Sequence, residues 1–192
     1  VTAADHRFAR TLAQFLLSAE RQGEHRRCRW AIYDLGLSDA DRTRLRERFG
    51  WADIRSIRLA DYPPHVAVAS GSYAWKPIII RDAARDLEAP LFWFDSGTIL
   101  RAPLDRALGS LASQGFWGLR SQMPLAQKCD PRVLDALEVS LEVRHVREYA
   151  AGAVGFDIAT PLGRQLVDDW SRHALIADHI VPAGYASFHK HD

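Results

Sequence analysis

Apolar positions recur along this chain in two alternating rhythms, one of helical period and one of extended runs. FARTLAQFLLSAERQ, from Phe8 to Gln22, puts Phe8, Leu12, Phe15, Leu16 and Ala19 on one face and closes at Gly23, which predicts an amphipathic helix. RWAIYDLGLS then predicts a short strand ending at Asp34. SDADRTRLRERFG predicts a helix with Ser38 as its cap, an arginine-rich exposed face and Gly50 as its stop. DIRSIRLADYPPH alternates Ile54, Ile57 and Leu59 with charge until Pro63 and Pro64 break it, as a strand leaving a sheet does. YAWKPIIIRDAARDLE predicts a helix starting near Pro77, because proline suits the first helical position. PLFWFD is an uninterrupted apolar run of the kind found in a central strand covered on both faces.

Strands and helices in alternation predict an α/β protein with a mostly parallel sheet. Past Pro103 the pattern loosens into a helix at Asp105 to Ala112, a strand GFWGLR and a helix PRVLDALEVS. The small-residue strand REYAAGAVGFDIATP and a helix PLGRQLVDDWSRHAL follow. No internal repeat or low-complexity segment interrupts them.

A length of 192 residues with 47% hydrophobic content is enough for one domain with a full core, and a single domain over residues 1–192 is the expectation. A formal net charge of +1, from 25 basic and 24 acidic residues, gives no surplus to attract a polyanion, which argues against a nucleic-acid partner. Cys28 and Cys129 stand far apart without a CxxC or Cys/His spacing, so neither a disulfide framework nor a zinc knuckle is indicated, and a reducing, cytoplasmic compartment fits. No run approaches the roughly 20 apolar residues of a membrane span. VTAADHRF reads as a strand already under way and HKHD ends without a cap. The stretch is therefore expected to be an excerpt of a longer chain, any membrane association lying in the missing regions.

The segment LFWFDSGTILRAP raises the chemical question, because its apolar run ends on Asp95. A carboxylate carried into apolar surroundings costs several kcal/mol unless a cation or hydrogen-bond donor meets it. In open α/β sheets ligands bind beyond the carboxyl ends of the strands, and Asp95 occupies such an end. Two readings stand: a turn aspartate bonding the backbone of DSGT, or a metal-ligating carboxylate at a nucleotide site. Of the tryptophans, Trp93 reads as core by its place in the strand, whereas Trp75 and Trp117 read as pocket-lining candidates.

LFWFDSGTILRAPLDRAL resembles the DxD motif and following helix of family 8 glycosyltransferases, with Gly97 where the second acid would stand. VTAADHRFARTLAQFLLS is similar to the opening strand and helix of those enzymes, whose following loop cups the nucleotide base. Thr2, Ala3 and Asp5 match that loop in position, and Asp5 reads equally as a helix cap. YAAGAVGFD resembles the small-residue strand that lines the sugars; Gly152 and Gly155 read otherwise as places of close backbone approach. FHKHD resembles the region of a late metal-binding histidine and an Asp-Gln pair. Residues two apart in an extended segment point the same way, so His189 and His191 could share a ligand with chemistry suited to manganese, or form a solvated tail. SYAWKPIIIRDAARD followed by LFWFDSG resembles a GT-A-like family marked by a WKP segment before an apolar strand ending in Asp-Ser.

The resemblance implies a GT-A fold, a Rossmann-like, mostly parallel central sheet with helices on both faces. It implies a nucleoside diphosphate-sugar donor, a glycan, lipid or protein acceptor, and a divalent ion, manganese or magnesium, held by Asp95, His189 and His191. Asp95, Lys76 and Asp192 would serve catalysis. Thr2, Ala3, Asp5, Asp34, Lys76, Trp75, Ser96, Gly97 and Gly152 would bind the nucleotide-sugar, with Asp157 the other acid on the same side of the sheet. Lys76, one of only three lysines, would share with its helix N-terminus an anion site for the diphosphate, or pair structurally with Asp95 or Asp82. The alternatives are a non-catalytic binding module of the same fold and a metal-dependent hydrolase.

Overall fold

The computed structural model describes residues 1–87 and 89–184. Three short strands, β1 (Thr2–Ala4), β2 (Trp30–Asp34) and β3 (Ala52–Ser56), pair in parallel in the order β1-β2-β3, with Thr2 opposite Ile32 and Ile32 opposite Ile54. Three more, β4 (Leu91–Phe94), β5 (Phe116–Pro124) and β6 (Arg147–Phe156), pair in the order β4-β6-β5, and β6 runs antiparallel to both neighbours. Val1 joins the two sets. Its nitrogen donates to Phe92 O at 2.7 Å and its carbonyl accepts from Phe94 N at 3.1 Å, the ladder pattern of parallel neighbours. The sheet therefore reads β3-β2-β1-β4-β6-β5 with only β6 reversed.

Helices cover both faces, as the runs WAIYD and LFWF require, since neither leaves a polar side for water. Ala31, Tyr33, Leu91, Trp93, Val154 and Phe156 point to one face. There they meet Ile78, Ile79, Ile80 and Ala83 of α4 (Trp75–Leu87), with α8 (Pro161–Ala174) beside it. On the other face Trp30, Ile32 and Phe94 meet Leu12, Phe15, Leu16 and Ala19 of α1 (Ala9–Arg21) and Leu45 of α3 (Asp39–Arg48). The helices in chain order are α1 (Ala9–Arg21), α2 (Glu24–Arg27), α3 (Asp39–Arg48), α4 (Trp75–Leu87), α5 (Asp105–Gln114), α6 (Pro131–Ala136), α7 (Leu141–Arg144) and α8 (Pro161–Ala174). Leu12, Phe15 and Leu16 are fully buried, and each such side chain contributes about 1.5–3 kcal/mol of transfer free energy.

Local chemistry explains the boundaries. Ser38 accepts from Asp41 N as the N-cap of α3, and Thr160 accepts from Gly163 N ahead of Pro161 to open α8. Two boundaries differ from the sequence expectation. Helix α4 begins at Trp75, two residues before Pro77, because Lys76 N already bonds Tyr73 O at 2.9 Å. The helix expected over PRVLDALEVS stops at Ala136, and Glu138 follows with φ 53°, a left-handed conformation that ends a helix. Among the described residues no helix is long and apolar enough to cross a membrane.

Candidate functional site

The carboxyl ends of β1 and β4 frame a cleft of about 610 Å³, within the size range of small-molecule sites. β1 contributes Ala3, Ala4 and Asp5, and the turn after β4 contributes Asp95, Ser96 and Gly97. The long connection before α4 supplies Tyr73 and the first turn of α4 supplies Trp75, while Arg7 and Phe8 add to the lining.

Asp95 sits at the centre of this frame because β4 ends there. Asp95 N donates to Gly152 O at 2.9 Å and Asp95 O accepts from Thr98 N at 2.9 Å, so main-chain bonds alone make the DSGT turn. The side chain is left for other work. Its Oδ1 accepts from Trp93 Nε1 at 2.8 Å and lies 3.2 Å from Lys76 Nζ. Of the two partners considered for Lys76, Asp95 takes the ammonium, whereas Asp82 accepts a hydrogen bond from Tyr33 Oη at 2.5 Å. The ion pair is lopsided: Lys76 is 1% exposed, the Asp95 side chain 47%. Lys76 Nζ also donates to Ala151 O at 3.4 Å and stands 5.8 Å and 5.9 Å from the ring centres of Tyr73 and Trp93. Gly152 passes directly beneath the carboxylate; a Cβ there would meet Asp95 Oδ2 at 3.1 Å.

Asp5 is both a cap and a cleft residue. It accepts from Arg7 N at 2.9 Å and from Arg7 Nε at 2.8 Å, opening the 3-10 turn that leads into α1. Burial alone would raise its pKa, but the bonds from Arg7 outweigh that and hold the carboxyl below its ordinary value. Tyr73 adopts φ 56°, a strained conformation for a bulky residue, at the mouth of the same cleft.

The other expected site residues fall as follows. Ala3, Trp75, Ser96 and Gly97 line the cleft. Thr2 is fully buried within the sheet and off the cleft, its hydroxyl without a hydrogen-bond partner. Asp34 is spent on the turn after β2: Oδ1 accepts from Gly36 N and Leu37 N, and Oδ2 from Arg42 Nε at 2.6 Å. Burial pushes its pKa up less than those bonds pull it down, so it stays below the ordinary carboxylate range. Trp117 packs its ring against Phe92 and Phe94 on the α1 face and lines no part of the cleft.

Asp157 requires a correction: β6 runs opposite to β4, with Phe156 paired to Leu91, so Asp157 lies at the other end of the sheet from Asp95. Gly155 makes room for the Phe92 ring. His189, His191 and Asp192 lie outside the described residues. Sequence reasoning passed over Arg7 and Tyr73. The signal for Arg7 was a cation at the start of a helical segment, where the dipole disfavours it.

A divalent ion fits poorly with the described residues. They contain no group of three His, Cys, Asp or Glu side chains able to hold one. Asp95 Oδ1 already serves an ammonium and an indole N–H, and Gly97 stands in place of a second acid.

The chain matches no protein-family model and no curated protein by sequence. By structure it resembles the galactosyltransferase LgtC, solved in complex with donor and acceptor sugar analogues, with a TM-score of 0.53 at 17% identity over 90% of this chain. It resembles an active-site mutant of LgtC with a TM-score of 0.54, again at 17% identity, over 91% of this chain. The chain spans 59% of the length of those structures. Its fold is the GT-A glycosyltransferase fold.

Proposed function

We propose that this chain forms the donor-binding domain of a glycosyltransferase, one that moves a sugar from a nucleoside diphosphate to a hydroxyl of a glycan, lipid or protein. The observation that carries this reading is the Asp95–Lys76 pair at the end of β4, facing a cleft at the strands' carboxyl ends in a fold shared with LgtC. That cleft is where an open α/β sheet presents side chains without losing their support.

Each lining group has work suited to such a donor. The exposed ring of Tyr73, backed by Trp75 with ring centres 6.0 Å apart, offers a surface on which a base or sugar stacks. Asp95 Oδ2 accepts hydrogen bonds from hydroxyls of the sugar. The Lys76 ammonium behind the carboxylate cancels its charge, so that an approaching diphosphate meets no net repulsion. Arg7 meets phosphate oxygens, and Ser96 offers a hydroxyl beside them. Breaking the glycosidic bond leaves negative charge on the departing diphosphate, and groups already fixed near it stabilise that charge without reorganising. The manganese or magnesium ion implied by the family resemblance would find one available carboxylate oxygen among the described residues, and no step depends on it.

A panel of nucleoside diphosphate-sugars tests the reading through release of free nucleoside diphosphate, wild type beside Asp95→Ala. The expected result is turnover of at least one donor and a loss of about 100-fold or more in the variant. Equal turnover by a folded Asp95→Ala would refute the assignment. Gly97 in place of a second acid favours one other reading, a sugar-nucleotide-binding module without turnover; it predicts donor binding and no release.

A further inference from the structure

We propose that the donor's diphosphate is held by protein cations alone, with Arg7 as its principal contact and Asp95 engaged with sugar hydroxyls, so that donor binding requires no divalent ion. This rests on the glycosyltransferase reading and says how that site manages charge.

The second position after Asp95 shows that the second acid is not missing for want of room. A Cβ on Gly97 would meet nothing within 4 Å, and the residue needs no positive φ, so neither backbone strain nor a clash at Cβ demands glycine there. Its absence removes a ligand that the backbone could have carried. Asp95 itself is poorly disposed to a cation. Oδ1 is occupied by Trp93 Nε1 at 2.8 Å and faces Lys76 Nζ at 3.2 Å, and that ammonium repels any divalent ion brought to the same carboxylate. A divalent ion at a nucleotide is held by one or two carboxylates besides the substrate phosphates, and among the described residues the cleft offers two, Asp95, half-neutralised by Lys76, and Asp5, both of whose oxygens accept from Arg7.

An anion finds more. Arg7 lines the cleft with its side chain 64% exposed, and Asp5 holds it through Nε and Nη2. A guanidinium carries five N–H donors in a planar fork, so the two contacts to Asp5 leave donors over for phosphate oxygens at the cleft. Asp5 fixes that orientation and is in turn fixed by the Arg7 backbone N–H at 2.9 Å.

The test is isothermal titration of the purified protein with uridine, guanosine, adenosine, cytidine and thymidine diphosphates, each in excess EDTA and again in millimolar MnCl2. The expected result is that the nucleotide that binds does so with Kd values within roughly threefold in the two conditions. Arg7→Gln, shown folded by its circular dichroism melt, weakens that binding in EDTA by roughly tenfold or more, while Arg26→Gln does not. Arg7→Lys, which keeps the charge and loses the fork, falls between. Binding that appears only with manganese, or is tenfold tighter with it, overturns the inference and leaves the glycosyltransferase reading standing, as does an Arg7→Gln protein that binds as the wild type does. Absence of binding by every nucleotide in both conditions overturns both.

Discussion

Replacing either member of the Lys76–Asp95 pair has unequal consequences. At 3.2 Å the direct attraction is about 5 kcal/mol at an effective dielectric of about 20. Water at the half-exposed carboxylate screens much of this, and about 2 kcal/mol is a reasonable net coupling. Lys76→Met places an apolar side chain of similar length in a buried, aromatic-walled slot and leaves Asp95 facing the solvent it already contacts, so the cost is about 1 kcal/mol. Asp95→Asn takes a full negative charge from beside an ammonium that is 1% exposed, and costs about 2–3 kcal/mol although Lys76 keeps Ala151 O and its other contacts and the amide oxygen can still accept from Trp93. Urea denaturation followed by circular dichroism, on both single variants and the double variant, measures all three terms. The double variant is expected to be more stable than Asp95→Asn alone, with a coupling of about 1–2 kcal/mol. A Lys76→Met protein less stable than Asp95→Asn, or strict additivity, would refute the picture of a buried cation held by an accessible carboxylate.

Two glycines predict opposite outcomes of the same substitution. Gly155→Ala drives a methyl into Phe92, whose ring atoms stand 2.6 Å and 2.7 Å from the Cβ position and are themselves backed by Phe94 and Trp117; a loss of about 2–3 kcal/mol is expected by thermal melting, and an unchanged melting point would contradict it. Gly109→Ala lies inside α5 with nothing within 4 Å and should add about 0.5–1 kcal/mol; a destabilised protein would contradict it. His173 gives a pH signature. Its Nδ1 stands 2.9 Å from His179 Nδ1, and burial, then His179 and Arg172, hold its pKa below the ordinary 6.5 against the opposing pull of Asp169. The unfolded chain therefore takes the proton first, so this contribution is whole above about pH 6.5 and declines as pH falls below it. Urea midpoints at about pH 7.5 and 5.5 should show a fall in the wild type that shrinks in His173→Leu; equal falls in the two proteins would contradict this.

Much of the sheet was legible because its strands are buried on both faces. The continuous runs WAIYD and LFWF admit few other readings, and a carboxylate closing such a run marks the strand's end as a place where chemistry can reach solvent. Direction was less legible. Nothing in AAGAVGF encodes whether the strand runs with or against LFWF, because inward and outward alternation is the same either way, and Asp157 was therefore placed at the wrong end. Pairing had the same limit: Lys76 faced two candidate carboxylates, and only the side of α4 turned toward β4 decides for Asp95. Asp34 looked like a nucleoside ligand because it also ends a strand, but the turn after β2 needs its oxygens for Gly36, Leu37 and Arg42. Arg7 and Tyr73 carried weak signals, a cation against a helix dipole and a bulky residue in left-handed backbone, and the second is visible only in coordinates.

A crystal structure with a bound nucleoside diphosphate tests the central claim most directly. The account predicts the diphosphate between Arg7 and the turn at Asp95, Ser96 and Gly97, with the base or ribose against Tyr73 and Trp75. A nucleotide seated instead in the cleft between α4 and α8, against Arg81, Arg85 and Arg164, would contradict it.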